Sequence, residues 1–507
     1  MRRWRLRLAA GFAALAALAL ALAMLARAEN GVLRDEIFVG ETPVTVSRPS
    51  APAAVPAPAV VVAHGFSGSR QLMRAISTAL AQAGYVVVSF DFLGHGRHPR
   101  PMAGDVTAVD GATAGILAQL GQVTAAARGL DGVDGRIALL GHSMAGDVIA
   151  RLAVEQGRGV TATIAVSAFS PVVAADRPGN LLMIAGAWEG ALADWALERT
   201  RAHAGSEAVF GVTYGAHAEH GARRAALAPG VEHIGVLYSP ATVREAVAWL
   251  DAAFDRERAS PPVSPRGPWI LLMLGALVAL AWPLAALLPP GPARAGAGLG
   301  GWRFWAVAAG PAIATPLLAT AMDVRFLPVV VGDYLALHFA LYGALTALGL
   351  WLAGAARPPR AAFARAALPA LLVAAFALGA LGPALDAHVS SFWPVEARLP
   401  IIAALLVGMS PWFLADEWLT RAPAAPRLAY AATKLLFLGS LAGAVALDLE
   451  RLFFLIILTP ALLIFFLVYG LFSGWAWRRT GEPWAGGLAN AAVFAWAIGV
   501  TFPMVAG

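Results

Sequence analysis

Three side chains far apart in the sequence have the types that acyl transfer requires: Ser143, Glu189 and His233. A serine hydroxyl attacks a carbonyl when a base takes its proton and an acid orients that base. Backbone N–H donors must also meet the oxyanion that develops. Ser143 stands in Gly141-His142-Ser143-Met144-Ala145, between the apolar run Ile137 to Leu140 and the helix-competent run Ala145 to Glu155. Strand, sharp turn and helix with a serine at the apex form the setting of a nucleophile elbow. Small residues permit the tight turn, with Ala145 where the pattern has its last glycine and Gly146 next.

Glu189 follows the apolar strand Leu181–Ala185 and Gly186, so it should face the same sheet edge as Ser143. The alternative role for Glu189 is a first-turn helix residue, where a negative charge is favourable. Asp194, one turn further on, is the second candidate for the acid. His233 is placed as the base, in a loop after the last short strand and before the final helix. His217 and His220 lie in a polar stretch and are expected to be solvated, while His95 and His142 should pack or hydrogen-bond. The oxyanion donors expected are the N–H of Met144 and the N–H of Phe66, in the strand end His64-Gly65-Phe66-Ser67-Gly68.

The elements that must carry these residues can be read along the chain. A hairpin is expected at Glu36–Gly40 and Thr42–Ser47, then a Pro/Ala-rich connector, Pro49 to Pro58. Strands are expected at Ala59–His64, Tyr85–Phe92, Ile137–Leu140, Thr161–Ser167, Leu181–Ala185 and near Ala222–Ala228. Helices are expected at Ser69–Gly84, Asp110–Gly129, Ala145–Glu155, Glu189–His203 and Ala241–Arg258. Strands without alternation, separated by helices, predict a mostly parallel sheet covered on both faces.

Residues 35–256 resemble an α/β-hydrolase domain. His64-Gly65-Phe66, Gly94-His95-Gly96 and Gly141-His142-Ser143-Met144 are similar to the serine-hydrolase branch that holds monoacylglycerol lipases and lysophospholipases. The order Ser143, Glu189, His233 is the order of that superfamily. Ala145 departs from its pattern. So does the stretch Phe169 to Asn180, too short for the lid usual in that branch, so an open site is expected. The resemblance implies an esterase mechanism through an acyl-enzyme, with no cofactor and no metal.

Composition adds a second part. Of 507 residues, 59% are hydrophobic and 13% charged, a balance that requires membrane spans. The net charge of +6 comes almost entirely from arginine, at the N-terminus and in short loops between apolar runs. That placement points away from nucleic-acid binding and towards membrane topology. With no cysteine, disulfides and thiolate metal sites are excluded. Met1 to Arg7 is basic and Leu8 to Leu25 apolar, followed by Ala26-Arg27-Ala28; residues 1–28 read as a signal anchor, or else a cleaved signal peptide. Residues 29–258 read as the hydrolase domain and 259–268 as a linker.

Residues 269–507 read as an all-α transmembrane domain of eight spans: Trp269–Leu288, Phe304–Met322, Leu327–Leu352, Ala366–Leu385, Leu399–Trp418, Leu428–Leu447, Leu452–Leu471 and Trp484–Val505. With the hydrolase domain outside, the inner loops carry Arg294, Arg303, Arg357, Arg360, Arg365, Arg421, Arg427, Arg478 and Arg479. The outer loops carry Arg325, Arg398 and Arg451 beside Asp323, Asp386, Glu396, Asp448 and Glu450. That bias predicts a multi-pass inner-membrane protein with its hydrolase domain and C-terminus on the outer, periplasmic face. Asp333 and His338 share a span without facing each other, Lys434 should snorkel, and Asp416-Glu417 should be interfacial. Packing or interhelical pairing is the first expectation for these intramembrane groups; they are also the ground for a second reading, a transporter or sensor whose hydrolase-like domain only binds. Acyl transfer to an alcohol or amine is a third. The substrate expected is a small ester or a lipid; protein partners are not indicated.

Overall fold

The computed structural model of the chain describes residues 2–51, 56–105, 108–257, 264–291, 294–322 and 324–506. Part of the Pro49–Pro58 connector, half of the 259–268 linker, Arg258, Asp323 and Gly507 therefore lie outside the described residues. Two compact units result. One comprises 19–273, 385–395 and 503–507, the other 1–18, 274–384 and 396–502.

The first unit is built on one sheet. Helix α1 (Arg2–Ala28) precedes strands β1 (Val32–Val39), β2 (Thr42–Pro49) and β3 (Ala57–Ala63). Then come α2 (Arg74–Gln82), β4 (Val86–Phe90), α3 (Ala114–Arg128), β5 (Val133–His142), α4 (Met144–Gln156), β6 (Ala162–Val166) and β7 (Leu181–Gly186). The unit's regular elements close with α5 (Gly190–Ala204), β8 (Arg223–Ala228) and α6 (Pro240–Ala253). The strand order is β1-β2-β4-β3-β5-β6-β7-β8, antiparallel at the β1–β2–β4 edge and parallel from β4 onward.

The uninterrupted Val60-Val61-Val62 run is explained by cover on both faces. Val60 and Val62 pack with Ile76 and Leu80 of α2 and Val247 and Leu250 of α6. Val61 turns the other way, towards Ile116, Leu120 and Val123 of α3 and Val148, Ile149 and Leu152 of α4. The elements differ from expectation mainly at their ends. Strand β1 reaches back to Val32 because it pairs with β2 along its whole length. Helix α2 starts at Arg74, not Ser69, because Asp91 accepts the N–H of Arg70 and holds the preceding residues in turns. Gly111, outside helical geometry, delays α3 to Ala114.

Glu29 follows α1 directly and accepts from three arginines: Arg34 at 3.0 Å, Arg74 at 2.6 Å and Arg266 at 2.6 Å. Burial alone would raise its carboxyl, but the guanidinium groups outweigh burial and hold it at about 2, against an ordinary 4.5. A folded-state value below the unfolded one stabilises the fold above pH 4.5, and that contribution is lost as pH falls towards 2. The shift is worth about 3 kcal/mol. Glu29→Gln should therefore lower the denaturation midpoint at pH 7, and the gap from wild type should shrink at pH about 3. A gap that does not change with pH would contradict this ion-pair account.

The second unit is helical: α7 (Gly267–Leu284), α8 (Gly301–Thr320), α9 (Gly332–Leu352), α10 (Ala362–Phe376), α11 (Gly382–His388), α12 (Leu399–Thr420), α13 (Ala429–Leu447), the one-turn α14 (Leu449–Leu452), α15 (Phe454–Thr480) and α16 (Pro483–Thr501). Among the described residues, eight helices are long and apolar enough to cross a membrane: the N-terminal Trp4–Ala28 and seven in the C-terminal half. Helix α8 has the length but is not among them; Arg303, Gly310, Pro311 and Pro316 dilute its apolar content. Small residues permit close packing here. A Cβ on Gly343 of α9 would lie 2.2 Å from the backbone nitrogen of Trp412 in α12.

The ionisable groups of the apolar helices find partners inside the protein. Lys434 does not snorkel but pairs with Asp416, under the rings of Tyr430 and Trp412. Asp416 and Glu417 are buried within the protein, and Glu417 pairs with Arg421 at 2.9 Å. Pairing is what burial of such charges demands. Asp333 and His338 do not meet: Asp333 accepts N–H groups of Phe326 and Leu327, and His338 contacts Tyr334 and Ser440.

Candidate active site

Strand β5 ends at His142, and Ser143 takes φ 54° and ψ −122° before α4 begins at Met144. A serine at positive φ is strained, and the strain lifts its side chain clear of the chain. The neighbours explain which small residues the turn needs. A Cβ on Gly141 would lie 2.6 Å from the Ala145 carbonyl, and one on Gly146 would lie 2.1 Å from the Ala168 Cβ. Gly146, not position 145, is where the helix meets its neighbour most closely, so Ala145 is accommodated.

The three expected residues come together. His233 Nε2 lies 2.9 Å from Ser143 Oγ, and His233 Nδ1 lies 2.6 Å from Glu189 Oε1. The carboxylate can only accept, so Nδ1 carries the proton and Nε2 offers its lone pair to the serine. Glu189 Oε2 accepts from Ser167 Oγ at 2.5 Å and from the Gly186 N–H at 2.7 Å. Burial pushes the Glu189 carboxyl up, but its bonds with His233, Ser167 and Gly186 prevail and hold it below the usual range. Its side chain is 7% exposed, that of His233 41%. The imidazole is open to solvent; the carboxylate is not.

The loops that carry the residues are tied to one another. The N–H of Trp188 donates to Val231 at 3.1 Å, linking the Glu189 turn to the His233 loop. Glu232 accepts the N–H groups of Ile234 and Gly235, both at 2.8 Å, and so fixes the backbone beyond the imidazole. His142 Nε2 donates to the His233 carbonyl at 2.9 Å. Burial, with His233 beside it, drives the His142 imidazole down to about 3, so it is neutral. The expectation that His142 hydrogen-bonds thus has a definite partner.

The loop after β3 passes next to the serine. A Cβ on Gly65 would stand 2.9 Å from the Ser143 Cβ. His64 Nε2 accepts the Phe92 N–H at 3.1 Å, and Nδ1 donates to the Gly65 carbonyl at 2.8 Å. This locks the backbone from which the Phe66 N–H projects. The connection from β6 to β7 contains no helix, as an open site requires. Exposed apolar side chains adjoin Glu189 and His233 in sequence, Trp188 and Ile234, and Phe169 lies two residues after Ser167.

Other candidates lie elsewhere. Asp194 is exposed on α5. His217 and His220 are not fully solvated: His217 packs edge-on against Trp249, and His220 abuts Gly179. His95 is buried and its Nδ1 lies 2.9 Å from the Leu93 carbonyl. Ser167, bonded to Glu189, is the residue of this cluster that sequence reasoning missed. Its signal was positional: β6 pairs with β5 so that Val166 is opposite His142, which brings Ser167 to the sheet edge beside Ser143.

Residues 54–207 match the family model described as serine aminopeptidase, S33. With the sheet order above, this makes the N-terminal domain an α/β-hydrolase domain, in a chain whose remainder is a bundle of apolar helices. TT1662 of Thermus thermophilus is 17% identical, covering 45% of this chain and 99% of its own, with a TM-score of 0.32. The yeast (Saccharomyces cerevisiae) monoglyceride lipase, solved as a soluble variant, is 10% identical over 44% of this chain and 94% of its own, with a TM-score of 0.33. A dienelactone hydrolase of Anabaena variabilis is 16% identical over 45% and 98%, at 0.30. No curated protein sequence matches the chain.

Proposed function

We propose that the chain is a membrane-anchored serine hydrolase of carboxylic esters, with Ser143 as nucleophile, His233 as base and Glu189 as the acid that orients it. One observation carries this reading: the continuous hydrogen-bonded path from Glu189 Oε1 through His233 to Ser143 Oγ, at 2.6 and 2.9 Å, with the serine at φ 54°. His233 takes the proton as Oγ bonds to the ester carbonyl carbon. The N–H groups of Phe66 and Met144 receive the oxyanion. The imidazolium returns the proton to the leaving alkoxide, leaving an acyl-serine. Water, deprotonated by His233, then releases the acid. Trp188, Ile234 and Phe169 favour an apolar acyl group.

A panel of p-nitrophenyl esters of increasing chain length and aminoacyl anilides, applied to the full chain in detergent, tests the substrate class. Ester turnover rising with chain length is expected. Turnover of anilides alone would replace the ester reading with the peptidase activity named by the family description. Ser167 acts as a positioning residue. Ser167→Ala should lower kcat about tenfold, about 1.4 kcal/mol, with KM little changed. An effect confined to KM would contradict that role.

The topology proposed keeps α1 as a signal anchor and counts α8 as a span, giving one domain at 29–258, a linker at 259–268 and eight spans within 269–507. Parity supports α8. The hydrolase unit includes 385–395, where Ser391 donates to Ser69 at 2.9 Å and Asp386 pairs with Arg97 at 2.7 Å. It also includes Met504, which accepts from Met102 at 2.9 Å. The chain returns to one side only after an even number of crossings. From Arg266 to Leu385 the helices are α7, α8, α9 and the α10–α11 pair; without α8 the number is odd. A reporter fused after Gly507 should lie outside, in the periplasm, with the hydrolase domain; a cytoplasmic reporter would overturn this topology.

A further inference from the structure

A cleft of about 650 Å³ opens beside β1, β2 and α2, with Arg34, Arg70, Arg74 and Arg97 on its walls and none of Ser143, Glu189 or His233 among its lining. Arg70 pairs with Glu36 at 2.7 Å and stands 3.9 Å from Asp91, and Arg97 pairs with Asp386 at 2.7 Å. The other pair is different. Arg34 and Arg74 share the single carboxylate of Glu29 with Arg266. Three guanidinium groups on one carboxylate leave a surplus of two positive charges. Arg266 is 96% buried, being 4% exposed, so bulk water screens the surplus poorly.

The hydrogen-bonding capacity is also unfilled. Nε of Arg74, Nη1 of Arg266 and Nε of Arg97 are buried without a partner among the described residues. So is the hydroxyl of Ser77, a 97% buried residue, 3% exposed, on the cleft wall. Unmet buried donors are costly, and here they accompany unmet charge. An anion with several acceptor oxygens satisfies both, and arginine forks suit phosphate oxygens. The place in the chain narrows its source. Glu29 directly follows the apolar helix α1, Arg266 directly precedes α7, and Ala387, whose carbonyl accepts from Arg74 at 2.8 Å, lies at the end of α11. Apolar helices that enter a bilayer at these residues would set the cluster at headgroup depth.

We propose that Arg34, Arg74 and Arg266, with the adjoining cleft, bind a phosphate group, that of an anionic lipid headgroup or of a soluble phosphate. The site is separate from Ser143 and does not depend on the proposed hydrolysis. The test uses the full chain in a neutral detergent, titrated with dihexanoyl phosphatidic acid, dihexanoyl phosphatidylcholine and inorganic phosphate. Saturable binding of the phosphatidic acid, at least tenfold tighter than phosphatidylcholine and displaced by excess inorganic phosphate, is expected. Phosphatidic acid binding more tightly than inorganic phosphate assigns the site to a lipid. Equal affinities assign it to a soluble phosphate. No saturable binding of either, or equal binding of the two lipids, overturns the proposal. Arg34→Gln and Arg74→Gln should each weaken binding at least tenfold, with melting temperatures near wild type, while Arg136→Gln, paired with Asp134 elsewhere, should not. Unchanged affinity in both folded variants overturns the assignment, and the wild-type titrations decide alone should the variants not fold.

Discussion

Replacing Ser143 with alanine should lower ester turnover by about 10⁴ to 10⁶-fold, while the melting temperature stays the same or rises. The size follows from the role: without the hydroxyl no acyl-enzyme forms, and only the oxyanion donors and substrate binding remain to accelerate attack by water. Stability should not fall: the strained φ of 54° is the same with alanine, and the hydroxyl lost bonds an imidazole that is 41% exposed. The cost of that strain serves the reaction more than the fold. Alanine relieves none of the backbone strain but removes a hydroxyl that bonds His233. Because the residues act as a unit, His233→Ala added to Ser143→Ala should cost little more. A double variant much slower than either single one would mean that the two residues do not share a step.

Glu189→Gln is expected to lower kcat by about 10⁴-fold with KM nearly unchanged. An amide can present its NH₂ to His233 Nδ1, so the imidazole then carries its proton on Nε2, facing Ser143. In that tautomer it cannot accept the serine proton. The amide also fails to stabilise the imidazolium. Glu189→Asp should retain more activity, because the shorter carboxylate keeps the charge while straining the contacts with Ser167 and the Gly186 N–H. Glutamine as active as aspartate would show that charge and tautomer at this position do not matter, and the acid would have to be sought elsewhere.

Much of this site was legible in the sequence because its signals are local. An apolar run, two small residues and a serine dictate the elbow. A glycine and a carboxylate after β7 place the acid, and a histidine between β8 and α6 places the base. What was not legible depends on the third dimension. Ser167 follows a strand in an ordinary way, and only the register of β6 against β7 brings it to Glu189. His142 reaches the His233 carbonyl across 91 residues of chain. The same holds in the helical half. Apolar runs of spanning length marked the long helices, but not the pairing of Lys434 with Asp416, which places both charges in the protein interior. The arginine surplus at Glu29 joins residues from three distant segments, and nothing in any one segment announces it.

The most direct test of the central claim is the site of covalent modification. The purified full-length protein would be treated with a fluorophosphonate, digested and mapped by mass spectrometry. One adduct is expected, on the peptide carrying Ser143, formed far more slowly in Glu189→Gln. An adduct on any other serine, or none on a folded protein, would contradict the claim that Glu189 and His233 make this hydroxyl the nucleophile.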